Sequence, residues 1–113
     1  MLHALFAVQV ATMAELLAAL RGTGIDLAGA INAVASTPVA SPAASAAATG
    51  ILDRAFSAAF PVELVVKDLE YALEDAKSRA ADLPVIRAAT ARCTLVAEHG
   101  HGNDNITGVA KAL

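Results

Sequence analysis

Much of the apolar content of this sequence is alanine, and this feature most limits the folds that are open to it. Apolar residues make up 57% of the 113 residues, whereas aromatic residues make up only 4%. Alanine is the best helix former, and the branched and aromatic side chains that favour strands are sparse. We therefore expect an all-α fold with helices packed closely over small side chains. This length predicts one domain, residues 1–113, that buries roughly 65% of its unfolded surface.

The charged residues are scattered along the chain, and they leave a net charge of −3 and a pI of about 5.4. No basic run is available to neutralise phosphates, so nucleic acid is not an expected partner. The single cysteine, Cys93, cannot form an internal disulfide. We therefore expect a protein of the reducing cytoplasm.

The first helix is predicted over about Leu2 to Arg21, and apolar residues cover nearly its whole circumference. A helix that is apolar on all sides is buried on all sides. In so small a domain this pattern indicates either a central position or cover from another domain or subunit. Glu15 interrupts the apolar run and no basic segment precedes it, so we expect neither a membrane span nor a signal peptide.

Helix start and stop signals divide the rest of the chain, and no alternating strand pattern or internal repeat is present. Gly22 or Gly24 can take the left-handed conformation that ends the first helix. Ser41-Pro42 is typical of an N-cap followed by a first helical residue. The sequence predicts a compact bundle of five or six helices. The further helices are predicted from Asp26 to about Ala35, from Ser41 through Ala59, from Val62 to about Asp82, from Pro84 to Gly100, and from Asp104 or Asn105 to Leu113.

Two charged residues, Lys67 and Asp68, stand side by side in the first turns of the fourth helix. Both flank its apolar stripe, and pairs such as Lys67/Glu70 and Asp75/Arg79 fall at helical spacing. Surface pairs of this kind contribute only a few tenths of a kcal/mol each. On spacing alone, these charges indicate an ordinary solvated helix face.

The other chemically suggestive residues have simple structural explanations. Cys93 lies on an apolar stripe, which favours a buried and inert thiol. His99 and His101 lie near Asp104, but no second ligand pair follows at a recognisable spacing, so we predict no metal site. His3 lies inside the apolar first helix, which indicates a core or interface residue. From the residue chemistry alone we predict no catalytic set.

A resemblance to a known family adds to this interpretation. The stretch FPVELVVKDLEYALEDA, Phe60–Ala76, resembles the signature of the C-terminal domain of the 3-hydroxyisobutyrate dehydrogenase (β-hydroxyacid dehydrogenase) family, which is related to 6-phosphogluconate dehydrogenase. Three further pieces resemble that family in the same order: AELLAALRGTGID before the signature, and LP and GHGND after it. Together these pieces extend over nearly all of the chain.

The resemblance implies a helical domain that normally follows a Rossmann domain, with the active site between the two. Lys67 matches the family lysine that contacts the NAD or NADP cofactor. Phe60 and Asp68 match residues near the substrate side of the cleft. The resemblance also implies a homodimer through the first helix, and a reversible oxidation of a small 3-hydroxy acid.

The sequence departs from the family pattern in two ways. A G-x-G-x-x-G fingerprint is nowhere in the 113 residues, so nothing here builds a dinucleotide fold. The family's catalytic lysine would fall just before Met1, and its asparagine would fall at Leu2 or His3. We therefore predict no catalytic residue and an inactive isolated chain that needs a separate Rossmann domain. The alternative is a helical oligomerisation or protein-interaction module without chemistry.

Overall fold

The computed structural model describes residues 2–112, and within them it contains helices but no strand. The helices lie in the order that the sequence predicts, and the prediction of an all-α bundle of five or six helices is confirmed. An isolated antiparallel bridge joins Pro61 to Asn105. The elements are α1 (Leu2–Leu20), α2 (Leu27–Ala35), α3 (Pro42–Leu52), α4 (Val62–Ser78), α5 (Pro84–Val96), a π-helical turn (Ala97–His101) and a final 3-10 helix (Ile106–Ala112).

The predicted helix starts are close to those observed. Ser41 is extended, and its Oγ accepts a hydrogen bond from Ala44 N at 3.0 Å, as an N-cap residue does. Asp26 occupies the N-cap position of α2, although its side chain makes no capping hydrogen bond. After α1, Gly22 and Gly24 both take left-handed φ values, 82° and 83°. Local sequence chemistry therefore sets these boundaries.

Two predicted helix ends are wrong. We expected α3 to continue through Ala59 and α4 to continue to about Asp82, but they end at Leu52 and Ser78. Arg54 and Ala80 take left-handed φ values of 54° and 58° just beyond these ends. Each closes a Schellman motif, a termination that glycine normally provides. Because neither position carries glycine, the sequence gives no local stop signal there.

The core lies between α1 and the other helices. Helix α1 contacts α3, α4, α5 and the 3-10 helix, and contributes a stripe of five buried residues. Small side chains dominate that stripe, so the neighbouring helices approach α1 closely. Fully or nearly fully buried residues from the other elements complete the core, among them Val62, Val65, Leu69, Cys93, Val96, Ile106 and Val109. The α1 stripe is Ala4, Ala7, Val10, Ala14 and Leu17.

Within residues 2–112 α1 is not buried on all sides, so complete cover from its own chain is wrong, and the other alternative, cover from another domain or subunit, stays a prediction. Leu2, Leu5 and Leu16 are 81%, 58% and 55% exposed. By length and composition α1 could also cross a membrane, with a mean hydropathy of 1.6, but core helices of soluble proteins pass the same test. The outer face of α1 is therefore an uncovered apolar surface.

Candidate functional site

The corner at Phe60-Pro61 is fixed by a residue near the end of the chain. Asn105 Oδ1 accepts hydrogen bonds from Phe60 N at 2.9 Å and from Ala59 N at 3.3 Å. Phe60 O in turn accepts from Ile106 N at 2.8 Å. These bonds satisfy backbone groups that a tight corner would otherwise leave without partners. The side chain of Phe60 is thereby held at the start of α4.

The GHGND turn, Gly100–Asp104, caps α4. The first backbone N–H groups of a helix have no partner inside the helix. Here Val62 N donates to Asp104 O at 2.8 Å, and Glu63 N donates to Gly102 O at 3.0 Å. The turn therefore positions the helix that carries Lys67 and Asp68, which gives this motif a structural role.

His3 joins two of the predicted site residues. Its Nδ1 lies 2.5 Å from Asp68 Oδ2, and its ring centroid lies 4.7 Å from that of Phe60, with the planes at 52°. A tilted aromatic pair at this distance is favourable. The contacts connect the first turn of α1 to the second turn of α4. The structure thus brings Phe60 and Asp68 into one cluster, which we call the His3 cluster.

The His3 cluster is open to the surroundings. The side chains of His3 and Asp68 are 60% and 39% exposed. A carboxylate that engages one imidazole nitrogen fixes the ring and leaves the other nitrogen for an outside group. Within residues 2–112, Nε2 of His3 makes no hydrogen bond. The arrangement can therefore form a hydrogen bond with a molecule bound against this end of the bundle.

Lys67 directly precedes Asp68 of the His3 cluster on α4. Its side chain is exposed, and across the described chain it makes neither a hydrogen bond nor an ion pair. Leu64 and Tyr71, one turn before and after it on the same helix face, are 46% and 66% exposed. An ammonium group between two exposed apolar side chains suits contact with another macromolecular surface.

The mixed-charge pairs on α4 are only partly formed. Of the pairs that the spacing suggested, Asp75 and Arg79 form an ion pair at 3.4 Å on the exposed surface. Lys67 does not pair with Glu70 in the region that the structure describes. Helix α4 therefore provides no counter-charge for Lys67, unlike a surface charge that forms an ion pair with a neighbour on its own helix.

Sequence reasoning missed His3 and Asn105 as parts of this site. His3 was expected to be a core or interface residue, and Asn105 was considered only as a helix cap. The signal for His3 was its position, since the family's asparagine would fall at Leu2 or His3. No local pattern pointed to Asn105, because it acts on a corner 45 positions away in the chain.

The remaining candidate residues behave as structural groups. Cys93 is 1% exposed, and burial raises the pKa of its thiol to about 11. His99 Nδ1 lies 2.7 Å from the carbonyl of Leu95. His101 Nδ1 lies 3.5 Å from Asp104. No group of three or more potential metal ligands occurs among residues 2–112.

Comparisons with known proteins agree with this fold. A solved structure of 3-hydroxyisobutyrate dehydrogenase from Salmonella typhimurium superimposes with a TM-score of 0.91 at 24% identity. The match covers 98% of this chain and 39% of that chain, so the present chain spans well under half of its solved relative. No curated protein sequence matches the chain.

The solved structure shows the fold of this chain, and the family model shows its family. The solved structure places the fold among the helical parts of dehydrogenases. The family described as "NAD-binding of NADP-dependent 3-hydroxyisobutyrate dehydrogenase" matches residues 1–113, and the chain belongs to this family. The resemblance inferred from Phe60–Ala76 is thereby confirmed.

Proposed function

We propose that this domain forms the helical wall of the active-site cleft of an NAD(P)-dependent 3-hydroxy acid dehydrogenase. The reaction would be the reversible oxidation of a small 3-hydroxy acid to its semialdehyde or keto form. The observation that carries the proposal is the exposed Lys67 beside the His3 cluster at one end of the bundle. The opposing wall would be a Rossmann domain outside these 113 residues.

The residues present fit a nicotinamide dinucleotide bound against this end of the bundle. Lys67 has no partner within residues 2–112 and stands between two exposed apolar side chains. A lysine ammonium has three donors on a flexible stem, which suits a ribose or phosphate oxygen. The bound cofactor supplies hydride transfer. Lys67 would hold the cofactor, while Phe60 and Asp68 would shape the substrate side.

The rigid positioning of α4 supports this assignment. The cap from GHGND and the hydrogen bonds from Asn105 fix the first turns of α4, where Lys67 and Asp68 lie. Binding groups are most effective when the scaffold holds them in place before the ligand arrives.

We further propose that the protein works in the cytoplasm, since its single thiol is buried and unpaired in the described chain.

The first experiment tests the role of Lys67. Binding of NADPH and NADH to the purified 113-residue chain is measured by saturation-transfer NMR. We expect weak binding that Lys67→Glu reduces by about tenfold or more, because one charge-assisted hydrogen bond is lost and repulsion is added. Lys77→Glu makes the same charge change on an exposed part of the same helix and is the matched control. Equal binding by all three proteins would reject the cofactor role.

The isolated chain should have no dehydrogenase activity, because the family's acid/base lysine has no counterpart in it. A coupled assay with NAD(P)H and small 3-hydroxy acids measures this directly. Turnover by the purified chain that disappears in Lys67→Ala would overturn the prediction and show that the chemistry resides within these residues.

A second candidate function is a helical association module, which the uncovered apolar face of α1 favours. Leu2, Leu5 and Leu16 lie exposed along it. Patches of this kind mark protein-interaction surfaces. We propose a homodimer through α1, which both functions predict. Only the association module predicts that Lys67 has no effect on cofactor binding.

Light scattering at micromolar concentration tests the homodimer. We expect a dimeric mass that Leu5→Glu reduces to that of a monomer, because a buried, unpaired carboxylate opposes association. Leu64→Glu is the matched control, since Leu64 is an exposed leucine on α4. A monomeric mass for the unsubstituted chain would reject association through α1.

A further inference from the structure

A second cleft, lined by residues outside the His3 cluster, concentrates positive charge. It has a volume of about 490 Å³ and opens near the end of α1, the end of α3 and the 3-10 helix. Arg21, Arg54, His101 and Lys111 line it together with the ring of Phe56. We call it the basic cleft. It shares no lining residue with the His3 cluster.

The charge of the basic cleft is opposite to that of the whole protein. The sequence has eight Lys and Arg residues and a net charge of −3, yet three of those eight line this one cleft. None of the described residues that line it is acidic. Clefts that gather one sign of charge raise the local concentration of the opposite ion. The basic cleft therefore selects for a small anion.

One carboxylate reaches the cleft, and it does not neutralise it. Asp104 Oδ2 lies 2.6 Å from Lys111 Nζ, in an ionic contact that lacks hydrogen-bond geometry. Arg21 and Arg54 have no ion-pair partner within residues 2–112. Two guanidinium groups thus remain available, and their planar fork geometry matches phosphate oxygens.

The cations are held in place by an aromatic ring. Arg54 Cζ lies 5.4 Å from the centroid of Phe56, and Lys111 Nζ lies 4.6 Å from it. Cations at these distances from a ring face are attracted by its quadrupole. These contacts favour positions of both side chains over the ring, on one side of the basic cleft.

The backbone at Arg54 determines where its side chain leaves the chain. Arg54 has a φ of 54°, at a Schellman position where glycine would avoid the steric cost. From this position the guanidinium group lies over Phe56 and lines the basic cleft.

We propose that the basic cleft binds a small phosphomonoester through its phosphoryl group. The cleft is larger than a phosphate ion, so it has room for an attached organic group beside Phe56 and the aliphatic side chains of Ile51 and Ala110. The negative charge of the rest of the protein opposes an extended polyanion such as nucleic acid.

Calorimetric titration of the purified chain tests the proposal, with phenyl phosphate and inorganic phosphate as probes at constant ionic strength. We expect saturable binding, tighter for phenyl phosphate, and a weakening of about tenfold in Arg54→Gln and in Arg21→Gln. Arg79→Gln removes the same charge from the exposed end of α4 and should leave binding within twofold. Tighter binding of inorganic phosphate would support the anion site but assign it to the free ion.

A further variant separates loss of the site from loss of the fold. Arg54→Gly removes the guanidinium and the backbone strain together, so it should unfold at the same temperature as the unsubstituted chain or higher while binding phenyl phosphate about tenfold more weakly. No saturable binding of either probe, or equal weakening by Arg79→Gln, would overturn the proposal. Because cofactor binding uses Lys67, failure of this test leaves the proposed dehydrogenase role unaffected.

Discussion

The two ends of α4 are built differently. At its start, Val62 N and Glu63 N donate to carbonyls of the GHGND turn, and Val62 and Val65 are fully buried. At its end, Ala80 N donates to Lys77 O and Ala81 N to Ala76 O, in a Schellman motif closed by a left-handed alanine. The backbone groups at the start are thus capped by distant parts of the chain, whereas the hydrogen bonds that close the end come from its own last turn.

The predicted site residues lie near the capped start of α4. Phe60, Lys67 and Asp68 all lie at or near the held end, whereas the free end carries exposed charges such as Asp75 and Arg79. A helix end that is closed by its own hydrogen bonds opens more readily than one that is capped by distant parts of the chain. Residues that must keep a fixed position are therefore expected in the first half of α4, and this comparison can be tested by substitutions in both halves.

The largest effect is expected from Leu69→Ala. Leu69 is 0% exposed, and truncating a buried leucine removes packing and leaves a cavity, which costs about 3 kcal/mol of unfolding free energy. Leu73→Ala, one turn further on and only partly buried, should cost about 1 kcal/mol. Urea denaturation measures both. Equal losses would show that the two halves of α4 are equally packed.

Asn105→Ala should come next, with a loss of about 2 kcal/mol. It removes the acceptor for Phe60 N and Ala59 N, and the Nδ2 donor to Thr107 Oγ1 at 3.1 Å. Asn103→Ala changes an exposed asparagine in the same turn and should stay within about 0.5 kcal/mol.

Reaction of Cys93 with a thiol reagent provides a second measurement of how Asn105→Ala and Asn103→Ala differ. Because the thiol is buried and its pKa is raised to about 11, the native protein should react slowly. Asn105→Ala should accelerate the reaction and Asn103→Ala should not. Identical rates in both variants would contradict a special role for Asn105.

At the free end, Ala80→Gly should stabilise the protein by about 1 kcal/mol, because glycine takes a φ of 58° without steric cost. Ala76→Gly is the contrasting control, since Ala76 is helical and buried, and glycine there should destabilise by about as much. Thermal unfolding measures both changes. A destabilised Ala80→Gly variant would mean that the end of α4 is held by contacts beyond its own last turn.

The smallest effect is expected from the pairing of His3 with Asp68. Both side chains are more than a third exposed, so a double-mutant cycle of His3→Ala and Asp68→Asn should give a coupling energy of about 0.5 kcal/mol. A coupling well above 1 kcal/mol would show that the His3 cluster is a structural anchor rather than an open site.

The sequence predicted those parts of the fold that depend on local chemistry. The all-α class, the N-cap at Ser41 and the left-handed glycines after α1 follow from residue type alone. The ends of α3 and α4 were missed because Arg54 and Ala80 carry left-handed backbone without a glycine to signal it. For α1 the sequence left open a central position or cover from another domain or subunit, because an apolar pattern does not tell whether the covering surface belongs to the same chain.

The candidate site was predictable only in part. The resemblance to a dehydrogenase family indicated Phe60, Lys67 and Asp68, and the structure places Phe60 and Asp68 in contact with His3. The cofactor contact of Lys67 stays a prediction. The basic cleft was invisible in the sequence, because its cations come from four separate segments that only the fold brings together.

The bridge between Pro61 and Asn105 makes the integrity of the C-terminal tail a requirement for the order of the corner that precedes α4. A protease that trimmed the chain after Gly102 would remove the amide that secures Phe60 and the carbonyl of Asp104 that caps Val62. The corner would then lose these hydrogen bonds although no residue of the His3 cluster had been removed. Because the removed segment also carries the buried Ile106 and Val109, such cleavage would destabilise the whole domain as well as release the corner.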